Sequence, residues 1–180
     1  VDAGRLRDAA AHLLDRHPNL RAAFREPGNA GAREAMMRGA TLAGLAFSNS
    51  SVALVHGMSR PLGARFHVPH GLSNAMLLPA VTAFGLREAL PRYAEAARIM
   101  GAAGEADDDE AAGRALVDAL RALNRDLGVP TPAAFGIGDN AWAAALPTMA
   151  EQALASGSPA NNPRVPDAAE IVALYREAYA

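Results

Sequence analysis

The sequence contains no cysteine and no lysine in its 180 residues. The absence of cysteine excludes disulfides, thiolate nucleophiles and sulfur-ligated zinc sites from this chain. The absence of lysine excludes a Schiff-base lysine and a phosphate-loop lysine, and all 17 basic residues are arginine. The net charge of -2 gives no reason to expect nucleic acid or an anionic membrane as a partner.

Long apolar runs are also absent: none approaches the roughly 18 residues that a membrane-spanning helix requires. No signal-peptide pattern is present, so we expect no membrane partner and a cytoplasmic location. The sequence starts at Val1 and opens directly into a helical pattern, and we expect it to be a piece of a longer protein.

Aromatic residues make up only 5% of the chain, whereas hydrophobic residues, many of them alanine, make up 51%. A core with so few large side chains requires helices that approach one another closely. No strand-like alternation, internal repeat or domain boundary is visible. We therefore predict an all-α fold, in which residues 1–180 form a single bundle-like domain of about eight helices.

One long predicted helix, from about Ala30 to Arg60, is expected to be central. Its second half carries almost no charge, which predicts burial on most sides. Pro61 and Gly63 are expected to end it, and Pro79 to kink or shorten the helix that follows. The other predicted helices are residues 3–16, 19–25, 71–84, 86–100, 110–127 with Gly128 after its end, 140–154, and a last one capped by Asp167.

Three of the five histidines lie in the segment from His56 to Pro79. His56 near the end of one helix and His70 at the start of the next could converge across a short turn and hold a metal ion. Imidazole suits zinc or ferrous iron, but such sites need three or four ligands, and this segment offers no carboxylate. The alternative is that His56 is a core residue bonded to a backbone carbonyl.

A second candidate pair, Asp8 and His12, has the four-residue spacing that places both side chains on one helix face. They could supply the missing ligands. The alternative is a solvated helix face, because Arg5, Arg7 and Asp15 lie on the same stretch.

The segment from Ala40 to Pro79 resembles the second signature region of the iron-containing (group III) alcohol dehydrogenases. The likeness continues through LGVP at 127–130 and SGSPANNPRVPDAAEIVALYREAY at 156–179, so that it covers essentially the whole chain. Its most specific element is the glycine-rich stretch with two histidines separated by 13 residues.

The resemblance implies an N-terminal α/β domain that binds NAD or NADP and a C-terminal helical domain that binds Fe²⁺ or Zn²⁺. In this family an aspartate and a histidine on one helix and two later histidines hold the metal, and the later two match His56 and His70. The first pair belongs to a helix that this sequence lacks. Asp8 and His12 lie too close to His56 to match it, and are interpreted as coincidence.

The resemblance also implies an activity, the interconversion of a small alcohol with its aldehyde or ketone, in which the metal acts as a Lewis acid on the alcohol oxygen. Because the nucleotide-binding segments and half of the metal ligands are absent, we expect the 180 residues alone to bind metal weakly and not to turn over substrate. We assign them no catalytic and no cofactor-binding residue.

Arg60 departs from the family pattern, since many relatives have a histidine there that is thought to line the substrate pocket. Arginine cannot shuttle protons at neutral pH. One hypothesis is that Arg60 binds an anionic substrate such as a hydroxy acid or its semialdehyde; the alternative is an arginine paired with the last-turn carbonyls of its own helix. His67 is interpreted as a turn residue, and Asn74, in a buried helix, must find a polar partner.

Two other classes of function stay open at this stage. The first is a stand-alone helical metal-binding or scaffold domain without catalysis. The second is an interaction module that forms a homodimer through apolar helices. An upstream reading frame encoding an aspartate–histidine helix and a glycine-rich nucleotide-binding domain would favour the enzyme.

Overall fold

A computed structural model of the chain describes residues 28–180. Within this range it contains helices and connecting turns and no strand, which confirms the predicted all-α fold. The helices predicted for residues 3–16 and 19–25 lie outside the described residues. Seven α-helices occur in residues 28–180: α1 Ala30–Ser50, α2 Leu54–Phe66, α3 His70–Gly85, α4 Leu90–Ile99, α5 Asp109–Leu127, α6 Asp139–Ala155 and α7 Ala168–Glu177. Two short 3₁₀ helices cover Leu86–Ala89 and Ser158–Asn161.

The long helix predicted from Ala30 to Arg60 is wrong, because the chain breaks at Ser51. Ser51 adopts φ 63° and ψ −177°, and a new helix begins at Leu54. The side chains of Ser48, Asn49 and Ser50 donate to the carbonyls four residues earlier. Such side-chain bonds compete with the backbone ladder and weaken a helix, so this polar run marks its end.

The predicted break at Pro61 and Gly63 is also wrong, since α2 continues to Phe66. Proline costs one backbone hydrogen bond, but Pro61 and Leu62 are buried in the core, and packing outweighs the local preference. The helix ends at His67, which adopts the left-handed conformation with φ 55°. The structure thus places His67 at a turn. The next helix, α3, continues past Pro79 to Gly85.

Burial of residues 41–58 was predicted from their lack of charge. It is found in the part that belongs to α2, where Leu54, Gly57 and Met58 are buried, but not in the second half of α1. Leu45 is 60% exposed and Phe47 is 53% exposed on α1. The buried residues of α1 are Ala32 and Gly39. The second half of α1 is therefore uncharged but exposed.

The chain divides into two compact units. In the first, which includes described residues up to Ser51 and Leu90–Leu116, small side chains such as Ala94, Ala97 and Ala112 are fully buried. The guanidinium of Arg98 donates to the carboxylate of Asp109 at 2.9 Å and to the carbonyl of Asp107 at 2.7 Å.

The second unit contains Val52–Ala89 and Val117–Ala180, and its core lies among α2, α3, α6 and α7. An aromatic cluster forms its centre: Trp142 lies 5.8 Å from Phe66, 5.7 Å from Tyr175 and 5.3 Å from Tyr179 between ring centroids. The hydroxyl of Tyr175 donates to the carbonyl of Met58 at 2.6 Å and so ties α7 to α2. Burial raises the pKa of Tyr175 far above its usual value, and this hydroxyl remains a donor.

Two predicted helix ends are confirmed. Asp167 caps α7 in a capping box with Glu170, in which each side chain accepts from the other residue's backbone N–H. Gly128 follows α5 with φ 67°, a conformation that glycine adopts without a steric penalty. The helix predicted for residues 86–100 divides into the 3₁₀ turn Leu86–Ala89 and α4. Across residues 28–180, no helix is both long and apolar enough to cross a membrane.

Candidate metal and substrate site

The rings of His56 and His70 lie next to each other, with centroids 5.3 Å apart and planes inclined by 54°. His56 was expected near the end of a long helix, and the structure instead places it in the first turn of α2. His70 is the first residue of α3, as predicted. The two rings face a common region despite the changed helix boundaries, because α2 and α3 pack against each other.

The turn between α2 and α3 fixes the position of His70. A Cβ on Gly63 would lie 3.0 Å from the carbonyl oxygen of Val68, so this close approach requires glycine. The buried hydroxyl of Ser73 lies 3.3 Å from the Val68 carbonyl and 3.2 Å from the Pro69 carbonyl. These contacts fix the backbone that precedes His70, and none of them involves the His70 ring.

Asn74 contacts His70 through one amide nitrogen. Its Nδ2 donates to the His70 carbonyl at 3.1 Å and lies 3.1 Å from His70 Nε2. An amide N–H can only donate, so this contact is a hydrogen bond when Nε2 of His70 carries the lone pair. Asn74 was expected to need a polar partner, and the structure provides two on the same residue. A cation bound at Nε2 would take the lone pair that faces the amide.

Three effects lower the pKa of His56 below its ordinary value of 6.5. Burial is the largest, followed by the neighbouring His70 and then by the positive charge of Arg60. All three disfavour the imidazolium form. His56 is therefore neutral at pH 7, which is the state that a metal ligand requires.

This lowered pKa predicts a pH dependence of stability. Between pH 6.5 and the lower folded pKa of His56, the unfolded chain binds more protons than the folded chain. The contribution of His56 to folding is thus fully present above pH 6.5 and decreases as the pH falls through that window. Histidine ¹³C chemical shifts followed against pH should give a His56 midpoint below 6.5. A midpoint above 6.5 would contradict the geometry described for the pair.

Arg60 lies one helical turn after His56 on the same helix. Its Nη1 donates to the hydroxyl of Ser158 at 3.2 Å, across 98 residues of sequence. The interpretation of Arg60 as a helix-end arginine is wrong, because α2 continues six residues beyond it to Phe66. Among residues 28–180, no carboxylate forms an ion pair with its guanidinium.

The loop after α6 holds the first two turns of α2 and was not assigned a role from the sequence. Besides the bond from Arg60 to Ser158, Asn161 Nδ2 donates to the Val52 carbonyl at 2.9 Å. A Cβ on Gly57 would lie 3.0 Å from two ring atoms of Pro159. The sequence signal was the run SGSPANNP, whose proline and asparagines are typical of a structured turn.

The donor set for a metal is incomplete in the described part of the chain. No group of three or more histidine and acidic side chains occurs there that could hold a metal ion. The two imidazoles fit a divalent transition metal by their chemistry and their proximity, but they amount to half of an ordinary ligand set. Asp8 and His12, interpreted as coincidence, lie outside the described residues.

Comparison with known proteins identifies the family to which this arrangement belongs. The family model described as the Fe-containing alcohol dehydrogenase family, C-terminal, matches residues 9–179. The chain belongs to this family. The predicted resemblance is therefore confirmed, and it extends over nearly all of the sequence.

Two curated relatives are similar to this member of the Fe-containing alcohol dehydrogenase family over most of its length. Lactaldehyde reductase of Escherichia coli K12 is 40% identical over 152 residues, which are 84% of this chain and 39% of the relative. 1,3-Propanediol dehydrogenase of Citrobacter freundii is 35% identical over an alignment of 183 positions, which covers 99% of this chain and 46% of the relative. The chain thus spans less than half the length of each.

Two solved structures also match nearly all of this chain over less than half of their own length. A 1,3-propanediol oxidoreductase crystal structure superposes with a TM-score of 0.87 at 32% identity, covering 98% of this chain and 45% of that one. An alcohol dehydrogenase from Oenococcus oeni also gives a TM-score of 0.87 at 32% identity, with 98% and 44% coverage. The helical fold of this chain is therefore found in somewhat less than half of each of these solved structures.

Proposed function

We propose that this chain is the C-terminal helical metal-binding part, residues 1–180, of a cytoplasmic NAD(P)-dependent oxidoreductase that interconverts a small alcohol with its aldehyde or ketone. The observation that carries the proposal is the proximity of His56 and His70, 5.3 Å between ring centroids, in a member of the Fe-containing alcohol dehydrogenase family. Their two imidazoles would hold Fe²⁺ or Zn²⁺ together with ligands from elsewhere in the protein.

A metal ion in that position would supply Lewis-acid chemistry toward the oxygen of the alcohol or carbonyl substrate. The residues of this chain would bind the metal and the substrate. His56 stays neutral at pH 7 and offers a lone pair, and Asn74 contacts Nε2 of the His70 ring through its amide nitrogen. Arg60 binds substrate, because its guanidinium lies one turn from His56 and has no carboxylate partner within residues 28–180.

The nicotinamide cofactor would bind to a part of the protein that this chain does not contain. Hydride transfer between substrate and cofactor needs no nucleophile from the helical part, and we propose no catalytic residue in this chain. Both relatives named above act, by their names, on small oxygenated three-carbon compounds, which supports a small-molecule substrate. A homodimer stays a prediction.

The test is metal analysis combined with cofactor reduction by the full-length protein, using a panel of short alcohols and hydroxy acids with NAD⁺ and NADP⁺. We expect one divalent metal per chain and activity that a chelator removes and Fe²⁺ or Zn²⁺ restores. The 180 residues alone should show weak metal binding and no turnover. Metal binding without any turnover by the full-length protein would favour a helical metal-binding domain without catalysis.

A further inference from the structure

The surroundings of Arg60 point to a substrate class. We propose that the guanidinium of Arg60, oriented by Ser158, binds the carboxylate of the substrate, so that the enzyme acts on hydroxy acids and the matching aldehyde or keto acids. This inference rests on the proposed function of the His56–His70 pair and names the substrate of that same site.

The first argument is the free hydrogen-bonding capacity of Arg60. A guanidinium has five N–H donors, and the structure occupies one of them, on Nη1, with the Ser158 hydroxyl. The described residues provide no carboxylate within 4.0 Å, and the side chain is exposed. Two of the six other arginines of this unit, Arg121 and Arg164, pair with carboxylates in the described chain, so Arg60 is one of several without an ion pair and is distinguished by its position next to His56.

The second argument is that Arg60 is held in place. Ser158 is 6% exposed and lies in the short 3₁₀ helix Ser158–Asn161. That helix packs closely on α2, where a Cβ on Gly57 would lie 3.0 Å from two ring atoms of Pro159. A hydrogen bond donated to such an anchored hydroxyl restricts an otherwise flexible arginine, and so reduces the ordering cost of binding a ligand.

The third argument is the chemistry of the match. A planar guanidinium fork fits the two oxygens of a carboxylate, and one positive charge balances one negative charge. Arg60 and His56 lie one helical turn apart on the same helix, so a short substrate can reach both. The hydroxyl end would then lie toward the histidine pair and the carboxylate toward Arg60.

The reaction balances without any further reagent. The carbinol C–H bond breaks, its hydride passes to the oxidised nicotinamide cofactor, and the hydroxyl proton leaves to water. The hydroxy acid becomes an aldehyde acid or keto acid as NAD(P)⁺ becomes NAD(P)H. The carboxylate takes no part in bond breaking and serves only to bind and orient the substrate.

The test uses matched substrate pairs with the full-length enzyme: ethanol and glycolate, 1-propanol and 3-hydroxypropanoate, 1-butanol and 4-hydroxybutanoate. In each pair a methyl group replaces the carboxylate. We expect the wild-type enzyme to prefer at least one carboxylate over its partner. Arg60→Ala should lower kcat/KM for that carboxylate about 10- to 100-fold, the value of a charged hydrogen bond, and lower it much less for the neutral alcohol, which offers no carboxylate to the guanidinium.

Three further variants separate charge from geometry. Arg60→Lys keeps the charge without the fork and should recover only part of the loss. Ser158→Ala should raise KM for the carboxylate more than it lowers kcat, since Ser158 acts only by positioning Arg60, and Ser158→Thr, which keeps a hydroxyl, should restore the KM.

Several outcomes would overturn the inference. Activity on 1-propanol with none on any carboxylate would reject it and leave the proposed function intact, as would an equal loss on both members of a pair. A rise in KM for NAD(P) alone in Arg60→Ala would assign Arg60 to the cofactor phosphates instead. If nothing is turned over, the proposed function fails, and calorimetric titration with 3-hydroxypropanoate decides: binding that Arg60→Ala removes supports the inference, and no binding rejects it.

Discussion

Replacement of His56 or His70 with alanine is expected to remove stoichiometric metal from the full-length protein and to abolish its activity. Their rings, 5.3 Å apart, supply two nitrogen donors, and no group of three histidine or acidic side chains elsewhere in residues 28–180 could replace them. Loss of groups that only support a metal ligand costs about 10- to 100-fold in affinity, and loss of the ligand itself should cost more. Metal content after gel filtration and the metal dissociation constant measure this directly.

The matched control for this prediction is His67. It is an exposed histidine at the end of α2, with φ 55°, in the same segment of the chain. His67→Asn keeps a residue that tolerates this conformation, and it should retain metal and activity. If His67→Asn lost the metal while His56→Ala retained it, the assignment of the site would be wrong.

Replacement of Trp142 with alanine is expected to destabilise the helical chain by about 3–5 kcal/mol, the usual range for a buried tryptophan. Trp142 is 3% exposed and contacts Phe66, Tyr175 and Tyr179. The loss should extend to the site, because Phe66 ends α2 and Tyr175 holds the Met58 carbonyl of the same helix. Urea denaturation followed by circular dichroism measures the change in the free energy of unfolding.

Trp142→Phe provides the control, since it keeps an aromatic ring in the cluster. The indole N–H is buried and has no hydrogen-bond partner among residues 28–180, so its removal leaves no new unsatisfied group. We expect a clearly smaller loss of stability than for alanine. Equal destabilisation by both variants would show that the ring contacts contribute little.

The sequence allowed the all-α fold and the convergence of His56 and His70 to be predicted, but not the helix boundaries around them. Hydrophobic periodicity continues across Ser51, whereas the break there arises from side-chain bonds of the preceding serines and asparagine. The opposite error occurred at Pro61, where burial in the core maintains a helix that proline alone would end. In both places a competing interaction outweighed the pattern.

The contacts of Arg60 could not have been predicted from its neighbours in the chain. Its partner Ser158 is 98 residues away, and nothing in the local pattern around either residue indicates the pair. The close approach of Gly57 to Pro159 is equally remote in sequence. Glycine next to His56 was visible, but only the folded chain shows that Pro159 occupies the space beside it.

The arrangement of α2 separates the proposed metal ligand, His56, from the proposed substrate-binding residue, Arg60. His56 and Arg60 stand on one helix, yet Arg60 alone is supported by the loop residue Ser158. If His56 and Arg60 have the proposed roles, an exchange of residues 60 and 158 would change which substrates are accepted, while His56, His70 and the core beneath them stay as they are.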